Sequence, residues 1–241
     1  VPADAFVYEN GAIVNGPVSI YLREIFTKRD MLGTGIFPMD TDDLPLWCGG
    51  QLYLGATRNG VPLKVNPSAT VEVAFPLQDE NRPGMQLFVA DAPADADSLR
   101  WELQDTLEWV NLMSVDDETV FMSLKEIGWL NCDAFPEEER EDWCIILEGE
   151  ELPIFEELVY YFLLEGNSGS KRHMMAPMDT CIFPIIFPDL PVDFVAVGLH
   201  DGELYYGHQF FPGFPGNTAV VSVKKGTSVE LEALLEGIVQ K

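Results

Sequence analysis

Four short dipeptides divide the chain into alternating segments and constrain its fold more than any other feature. Asn-Gly occurs at 10–11, 15–16 and 59–60, and Asp-Gly occurs at 201–202. These pairs readily adopt the positive φ angles that a tight hairpin turn requires. The chain is therefore expected to fold back on itself as antiparallel β-hairpins.

The segments between these turns have the length and periodicity of β-strands. Val18, Ile20 and Leu22 alternate with residues of the opposite face, which is the period of a half-buried strand. Residues 69–75 alternate in the same way. The run LVYYFLL at 158–164 is apolar on both faces, as is typical of a central strand.

Helical signals are few. The segment 226–241 predicts a terminal helix that Thr227 or Ser228 can cap, with an apolar stripe of Leu231, Leu234, Leu235 and Ile238. Residues 28–35 can hold one helical turn before glycines end it. The segment 101–115 fits a helix and a strand equally well.

These patterns predict an all-β protein of two β-sandwich-like modules with a short C-terminal helix. At 241 residues the chain is long enough for two domains, each with its own core. The acidic segment SVDDE at 114–118 is expected to mark the junction, giving modules 1–113 and 114–241.

The formal net charge of −26 limits the classes of partner. Such a field repels phosphate backbones and anionic lipids, so nucleic acid is not expected as a partner. Solubility alone accounts for this charge, and a cationic partner or divalent cations are the alternative. No stretch approaches the roughly 20 apolar residues that cross a bilayer, so no transmembrane segment is expected.

The four cysteines, at 48, 132, 144 and 181, contain no C-x-x-C pair, which excludes zinc ribbons and thioredoxin-like motifs. They are expected to be mostly free and buried, and Cys132–Cys144 is the first pair to consider for a disulfide. The acidic loops at 40–43 and at Asp91, Asp95 and Asp97 lack a full calcium-loop pattern, so we predict no metal site and no cofactor.

The stretch GWLNCDAF at 128–135 raises the question of a cysteine nucleophile. A reactive thiolate needs a neighbouring histidine or positive charge, whereas Asp133 adjoins Cys132 and acidic residues follow. We expect Trp129 and Cys132 to pack inward, with Asn131 and Asp133 bonded to the backbone of a turn. No serine-hydrolase elbow or phosphate-binding loop occurs either, so no catalytic residue is predicted.

The arm YYGHQFFPGFPGN at 205–217 concentrates aromatic residues in a hairpin strand and a Gly/Pro loop. Alternate aromatics can fill a sandwich core. The alternative is a binding edge, because apolar residues in such a loop are hard to bury completely. On that hypothesis the ligand-binding residues are Tyr206, His208, Phe211 and Phe214.

Three segments carry a resemblance to a known group of proteins: residues 2–32 (PADAFVYENG through REIFTKRDML), residues 49–76 (GGQLYLG through VEVAFP) and GWLNCDAF. They resemble the N-terminal module of uncharacterised secreted proteins and lipoproteins of Gram-negative bacteria, a module similar to ZU5-type β-sandwiches. The resemblance implies an extracytoplasmic location, with a lipid anchor attached upstream of Val1. It implies no reaction and no catalytic residues.

The sequence therefore predicts a non-catalytic binding or support protein of the cell envelope, whose partner is a protein or a glycan. The alternative is an extracytoplasmic hydrolase that acts on a glycan or a peptide. That alternative requires a cleft with two carboxylates about 5–10 Å apart, or Cys132 within hydrogen-bonding reach of a histidine.

Overall fold

The computed structural model describes residues 1–76, 84–104, 110–115, 119–136, 141–142, 144–150, 152–164, 169–174, 185–186, 189–213 and 218–240. The chain is all-β, as predicted, and divides into two compact units, Val1–Pro136 and Glu137–Lys241. This boundary lies beyond the one expected at 113/114. Residues 119–134 form strands that pair with strands of the first unit, and hydrogen bonding therefore holds them there.

The first unit contains eleven described strands and one helix. They are β1 (Phe6–Val7), β2 (Ser19–Ile25), α1 (Lys28–Thr34), β3 (Trp47–Arg58), β4 (Val61–Pro62), β5 (Lys64–Val65), β6 (Val71–Pro76), β7 (Gln86–Ala90), β8 (Glu102–Leu103), β9 (Val110–Val115), β10 (Thr119–Leu124) and β11 (Trp129–Ala134). The main sheet has the order β2-β3-β11-β7-β8, with β4 also on β3, and a second sheet has the order β6-β10-β9. In the ambiguous segment 101–115, Glu102–Leu103 and Val110–Val115 are strand, and no described residue is helical.

An apolar core lies between these two sheets. Leu52, Leu87 and Leu130 from the main sheet belong to the same buried cluster as Val120 and Leu124 from the second sheet. Because side chains alternate along a strand, alternate residues enter this core: Leu52, Leu54 and Ala56 of β3, Leu87 and Val89 of β7, and Leu130 and Cys132 of β11. The first unit is thus a β-sandwich.

The opposite face of the main sheet is covered by α1 and by the irregular segments 35–46 and 91–101. Trp101 and Trp129 are fully buried and pack edge to face, with ring centroids 6.2 Å apart. Trp101 Nε1 donates to the carbonyl of Phe37, and Trp129 Nε1 donates to that of Pro93. The Trp101 bond joins the two covering segments to each other, and the Trp129 bond joins segment 91–101 to strand β11 of the sheet.

The second unit is built on one large sheet. Its elements are β12 (Glu141–Asp142), β13 (Cys144–Glu148), β14 (Glu157–Leu164), β15 (Gly169–Met174), β16 (Ile185–Ile186), β17 (Val192–His200), β18 (Glu203–Phe211), β19 (Thr218–Gly226) and α2 (Ser228–Val239). The large sheet has the order β13-β19-β18-β17-β14-β15, and β12 pairs with β16. All pairs are antiparallel except β13 with β19.

The predicted turn at Asp201-Gly202 joins β17 to β18, with φ of 49° and 74° at its two residues. Asn59-Gly60 likewise has φ of 51° and 78° between β3 and β4. Only glycine and short polar side chains reach this region cheaply, which is why these dipeptides fixed the hairpins. Among the residues described here, no helix is long and apolar enough to cross a membrane.

Thr227, rather than Ser228, caps the terminal helix α2. Its side chain accepts from the backbone amide of Glu230, and Glu230 in return accepts from the backbone amide of Thr227. These hydrogen bonds to Thr227 lower the pKa of the Glu230 carboxyl. The two residues form a complete capping box.

We expect Thr227→Ala to lower the free energy of unfolding by about 1 kcal/mol, because an unfilled cap leaves a helix amide without its partner. Ser228→Ala is the matched control and should change it by less than about 0.5 kcal/mol. Denaturant unfolding followed by circular dichroism measures both values. An equal loss in the two variants would contradict this assignment of the cap.

Candidate functional site

Cys132 lies on the central strand β11 of the first unit and is fully buried. It is a free thiol within the apolar core, alongside Leu87 and Leu130. Burial raises the pKa of Cys132, and the charge of Asp133 raises it further. The prediction that Trp129 and Cys132 pack inward is confirmed, and the neutral thiol is unsuited to nucleophilic attack.

Residues on the other face of β11 form a buried polar cluster with β3. The cluster comprises Cys48, Gln51, Asn131 and Asp133, none of which is exposed. An irregularity in the pairing makes this possible: Asn131 faces Gln51 and Asp133 faces Cys48, so β3 carries one extra residue between the two pairs. Asn131 and Asp133 are expected to bond to the backbone of a turn; the turn is wrong, because both lie within strand β11, and Asp133 accepts from the backbone amide of Gly49 on β3.

Asp133 is the hub of this cluster. Asn131 Nδ2 donates to Asp133 Oδ2 at 2.5 Å, and the Cys48 thiol and the Gly49 backbone amide also donate to this carboxyl. Gln51 Nε2 donates to Cys48 Sγ at 3.6 Å. Gln51 Oε1, Asn131 Oδ1 and Asp133 Oδ1 are buried, and no donor among the described residues reaches them.

The cluster favours a protonated carboxyl. Burial raises the pKa of Asp133 well above its usual range, despite the donors that lower it, and burial also raises that of Cys48. A proton on Asp133 removes a buried charge and supplies a donor in a site with three unpartnered oxygens. The arrangement is a buried polar network that links β3 and β11.

This pKa shift predicts a pH dependence of stability. The folded state holds the Asp133 proton more tightly than the unfolded state, so the unfolding free energy should fall as pH rises from about 4 through the raised folded pKa. The slope is at most about 1.4 kcal/mol per pH unit for one proton. Asp133→Asn cannot ionise and should therefore gain stability relative to the wild type across this range.

The measurement is a series of denaturant titrations between acid and neutral pH. Asp91→Asn, at an exposed position, is the control. Its free energy of unfolding should differ from that of the wild type by the same amount at every pH. Parallel pH profiles for Asp133→Asn and the wild type would show that Asp133 does not hold an extra proton in the folded state.

Two of the four predicted ligand-binding residues line one cavity in the second unit. Tyr206 and His208 of β18 face a cavity of about 330 Å³ together with Ser222 and Lys224 of β19 and Leu234 of α2. His208 Nε2 lies 2.6 Å from Oδ1 of Asp193 on β17, and Lys224 Nζ lies 5.2 Å from the Tyr206 ring centroid.

The other two predicted residues are not brought to this cavity. Phe211 is 6% exposed, so the expectation of an exposed side chain there is wrong, and Phe210 is the exposed neighbour at 42%. Strand alternation explains the difference, because Phe210 shares the face of His208 whereas Phe211 lies on the buried face. Phe214 lies outside the described residues.

The acidic loop at 40–43 has a structural use. Asp40 Oδ1 accepts from the backbone amides of Asp42 and Leu44, which closes the loop on itself. In the part of the chain that the structure describes, no three His, Cys, Asp or Glu side chains are grouped so as to hold a metal ion.

The cysteines differ from expectation in one respect. Cys48 and Cys132 are free and buried, but Cys144 is disulfide-bonded, so the pair Cys132–Cys144 is excluded. Cys181 lies outside the described residues.

A second and larger cavity than that of Tyr206 and His208 is a cleft in the first unit, where the sequence analysis marked no site. It has a volume of about 620 Å³ and extends along residues 54–57 of β3. The cleft opens where β3 runs past the end of β11, whose pairing with β3 stops at Tyr53. Its remaining lining is Glu9, Tyr21, Tyr53, Pro62, Leu63, Lys64, Ala94, Asp95, Glu126 and Ile127.

Strand β2 borders this cleft and exposes large apolar side chains on both faces. Ile20, Tyr21 and Leu22 are 47%, 60% and 54% exposed. Alternation predicted a buried face for Ile20 and Leu22. Those residues lie on the core side of the sheet, opposite Ala56 and Leu54, but no residue of β2 belongs to the buried core cluster.

Comparisons with known proteins give no relative from which a site could be transferred. The chain matches no protein-family model, no curated protein and no solved structure.

Proposed function

We propose that this chain is a non-catalytic binding protein of the cell envelope, and that it engages its ligand at the cleft of the first unit. The observation that carries the proposal is the position of that cleft beside the exposed apolar strand β2. Ligand sites are concave and combine apolar surface with a few polar groups. Contiguous exposed apolar residues such as Ile20, Tyr21 and Leu22 mark interaction surfaces.

An envelope location has two supports. The disulfide bond at Cys144 is of the kind that forms and persists in oxidising compartments. The resemblance of three segments to secreted proteins and lipoproteins of Gram-negative bacteria agrees with this, and a lipid anchor upstream of Val1 belongs to the same proposal. The partner is accordingly a protein or a glycan of the envelope.

Tyr21 is the residue to test, because it is exposed on β2 and also lines the cleft. Ligands would be selected with the wild-type chain from a displayed peptide library and from a glycan array. Tyr21→Ala should weaken their binding about fivefold or more, since it removes an aromatic side chain from the surface that the ligand covers.

Phe121→Ala is the matched control, because Phe121 of β10 in the same unit is 45% exposed and does not line the cleft. It should bind as the wild type does, and thermal unfolding should show both variants folded. The proposal fails if Tyr21→Ala retains full affinity for every selected ligand, or if neither collection yields a ligand.

A hydrolase is the second candidate, and one observation favours it. Asp193, His208 and Ser222 lie on three adjacent strands of the second unit and on the same face. The contact of His208 Nε2 with Asp193 leaves Nδ1 as the ring nitrogen that could serve the Ser222 hydroxyl. This support is weaker than that for the cleft, because Ser222 sits on an ordinary strand rather than on a nucleophile elbow.

A fluorophosphonate probe distinguishes the two candidates, because it reacts covalently with activated serines. The binding proposal predicts no labelling of the wild-type chain. Labelling of Ser222 that is lost in both Ser222→Ala and His208→Gln would overturn it in favour of a hydrolase. Mass spectrometry of the digested chain locates any modified serine.

A further inference from the structure

We infer that the cleft of the first unit binds the ammonium or guanidinium side chains of a cationic polypeptide that runs along β2. This inference rests on the proposed binding function and names its partner class. It follows from the charges around the cleft, from its aromatic side chains and from the exposed strand beside it.

The cleft is anionic. Glu9, Asp95 and Glu126 are exposed carboxylates among its lining residues, and Lys64 is the only cation among those residues. The lining thus carries a net charge of −2, from three negative groups and one positive group. On a chain with a net charge of −26, this site attracts cations and repels a second copy of the same chain.

Lys64 shows how the cleft holds an ammonium group. Its Nζ lies 2.8 Å from Oε1 of Glu9, and both side chains remain largely exposed. The hydrogen bond and charge of Glu9, with a contribution from the charge of Glu126, raise the pKa of Lys64. Two carboxylates from distant parts of the chain therefore act on one ammonium, which indicates that their charges converge on this part of the cleft.

The aromatic side chains suit a cation as well. Tyr21 and Tyr53 both line the cleft, and aromatic faces attract ammonium and guanidinium groups. Gly55 allows the Tyr53 ring to lie against the strand, because a Cβ at that position would come within 2.8 Å of Tyr53 Cε1. Tyr53 also packs edge to face on Trp129, with centroids 5.3 Å apart.

The neighbouring residues already contain one such contact and fix one wall of the cleft. The guanidinium of Arg23 lies 5.4 Å from the Trp129 ring centroid, and it donates to the carbonyls of Ala94 and Ala96. These hydrogen bonds hold the segment that carries Asp95. A preorganised wall reduces the entropy cost of binding.

The strand β2 favours a polypeptide over a small cation. Among the described strands it pairs only with β3, and the proposed polypeptide would add to its other edge as a further strand. An extended chain along this edge could cover Ile20 and Leu22 while its cationic side chains enter the cleft past Tyr21. A small polyamine would fill the cleft and leave these apolar side chains exposed.

The test uses the full chain and calorimetric titration with defined probes. The main probe is an end-blocked peptide of the same length as β2 that alternates lysine and valine. A glutamine–valine peptide removes the charge, a glutamate–valine peptide reverses it, and spermine supplies the charge without a backbone. We expect only the lysine peptide to bind tightly, and its affinity to fall with added salt.

Paired variants separate the cleft from the general field of the protein. Asp95→Asn combined with Glu126→Gln should weaken the lysine peptide about fivefold or more, and Tyr21→Ala should weaken it by a similar factor. Glu72→Gln combined with Glu232→Gln removes the same charge at exposed positions outside the cleft. This control should change the affinity by less than about twofold.

Each other outcome overturns the inference. If the double variant in the cleft and the control double variant lose the same affinity for the lysine peptide, the overall charge, not the cleft, attracts the peptide. Equal binding of spermine would exclude a specific polypeptide partner. Equal binding of the glutamine peptide, still lost in Tyr21→Ala, would refute the cationic partner while leaving the proposed binding function intact.

Discussion

Burial of strand β11 on both faces is the constraint on which the first unit depends. All six of its residues are buried. Leu130 and Cys132 fill the core between the sheets, and Asn131 and Asp133 join a polar cluster on the other side. A strand buried on both sides must satisfy or neutralise every polar group that it carries. The extra residue in β3 lets the polar side chains meet, and a proton on Asp133 removes the buried charge. Cys132, in the same stretch, packs in the apolar core.

The proposed binding surface begins where this burial ends. β11 stops pairing with β3 at Tyr53, and no residue of β2 belongs to the described core cluster between the sheets. The remaining length of β3 borders a cleft, and β2 carries exposed apolar side chains along it. Because the sandwich core is narrower than the main sheet, apolar surface, tyrosines and carboxylates collect at one edge. The same arrangement that stabilises the unit thereby supplies the features of a ligand site.

The large sheet of the second unit carries an aromatic cluster on one face and the Asp193–His208 pair on the other. Tyr160, Phe162 and Phe194 pack together on one side of its sheet, with the rings of Phe162 and Phe194 4.9 Å apart. Asp193 and His208 meet on the other side, in and beside a smaller cavity. Strand alternation produces both results from one sequence, since adjacent residues such as Asp193 and Phe194 must point to opposite faces.

The sequence by itself determined the all-β class, the hairpins at Asn59-Gly60 and Asp201-Gly202, the capped terminal helix and the inward packing of Trp129 and Cys132. These depend on local φ preferences, on side-chain periodicity and on hydrophobicity, which neighbouring residues encode. The tertiary structure alone decided the boundary near 136, the burial of Phe211 and the cleft. Each of these depends on which distant strands pair and how far one sheet covers another. Glu9, Tyr21, Lys64, Asp95 and Glu126 come together only through that pairing, so no local pattern marked them as a site.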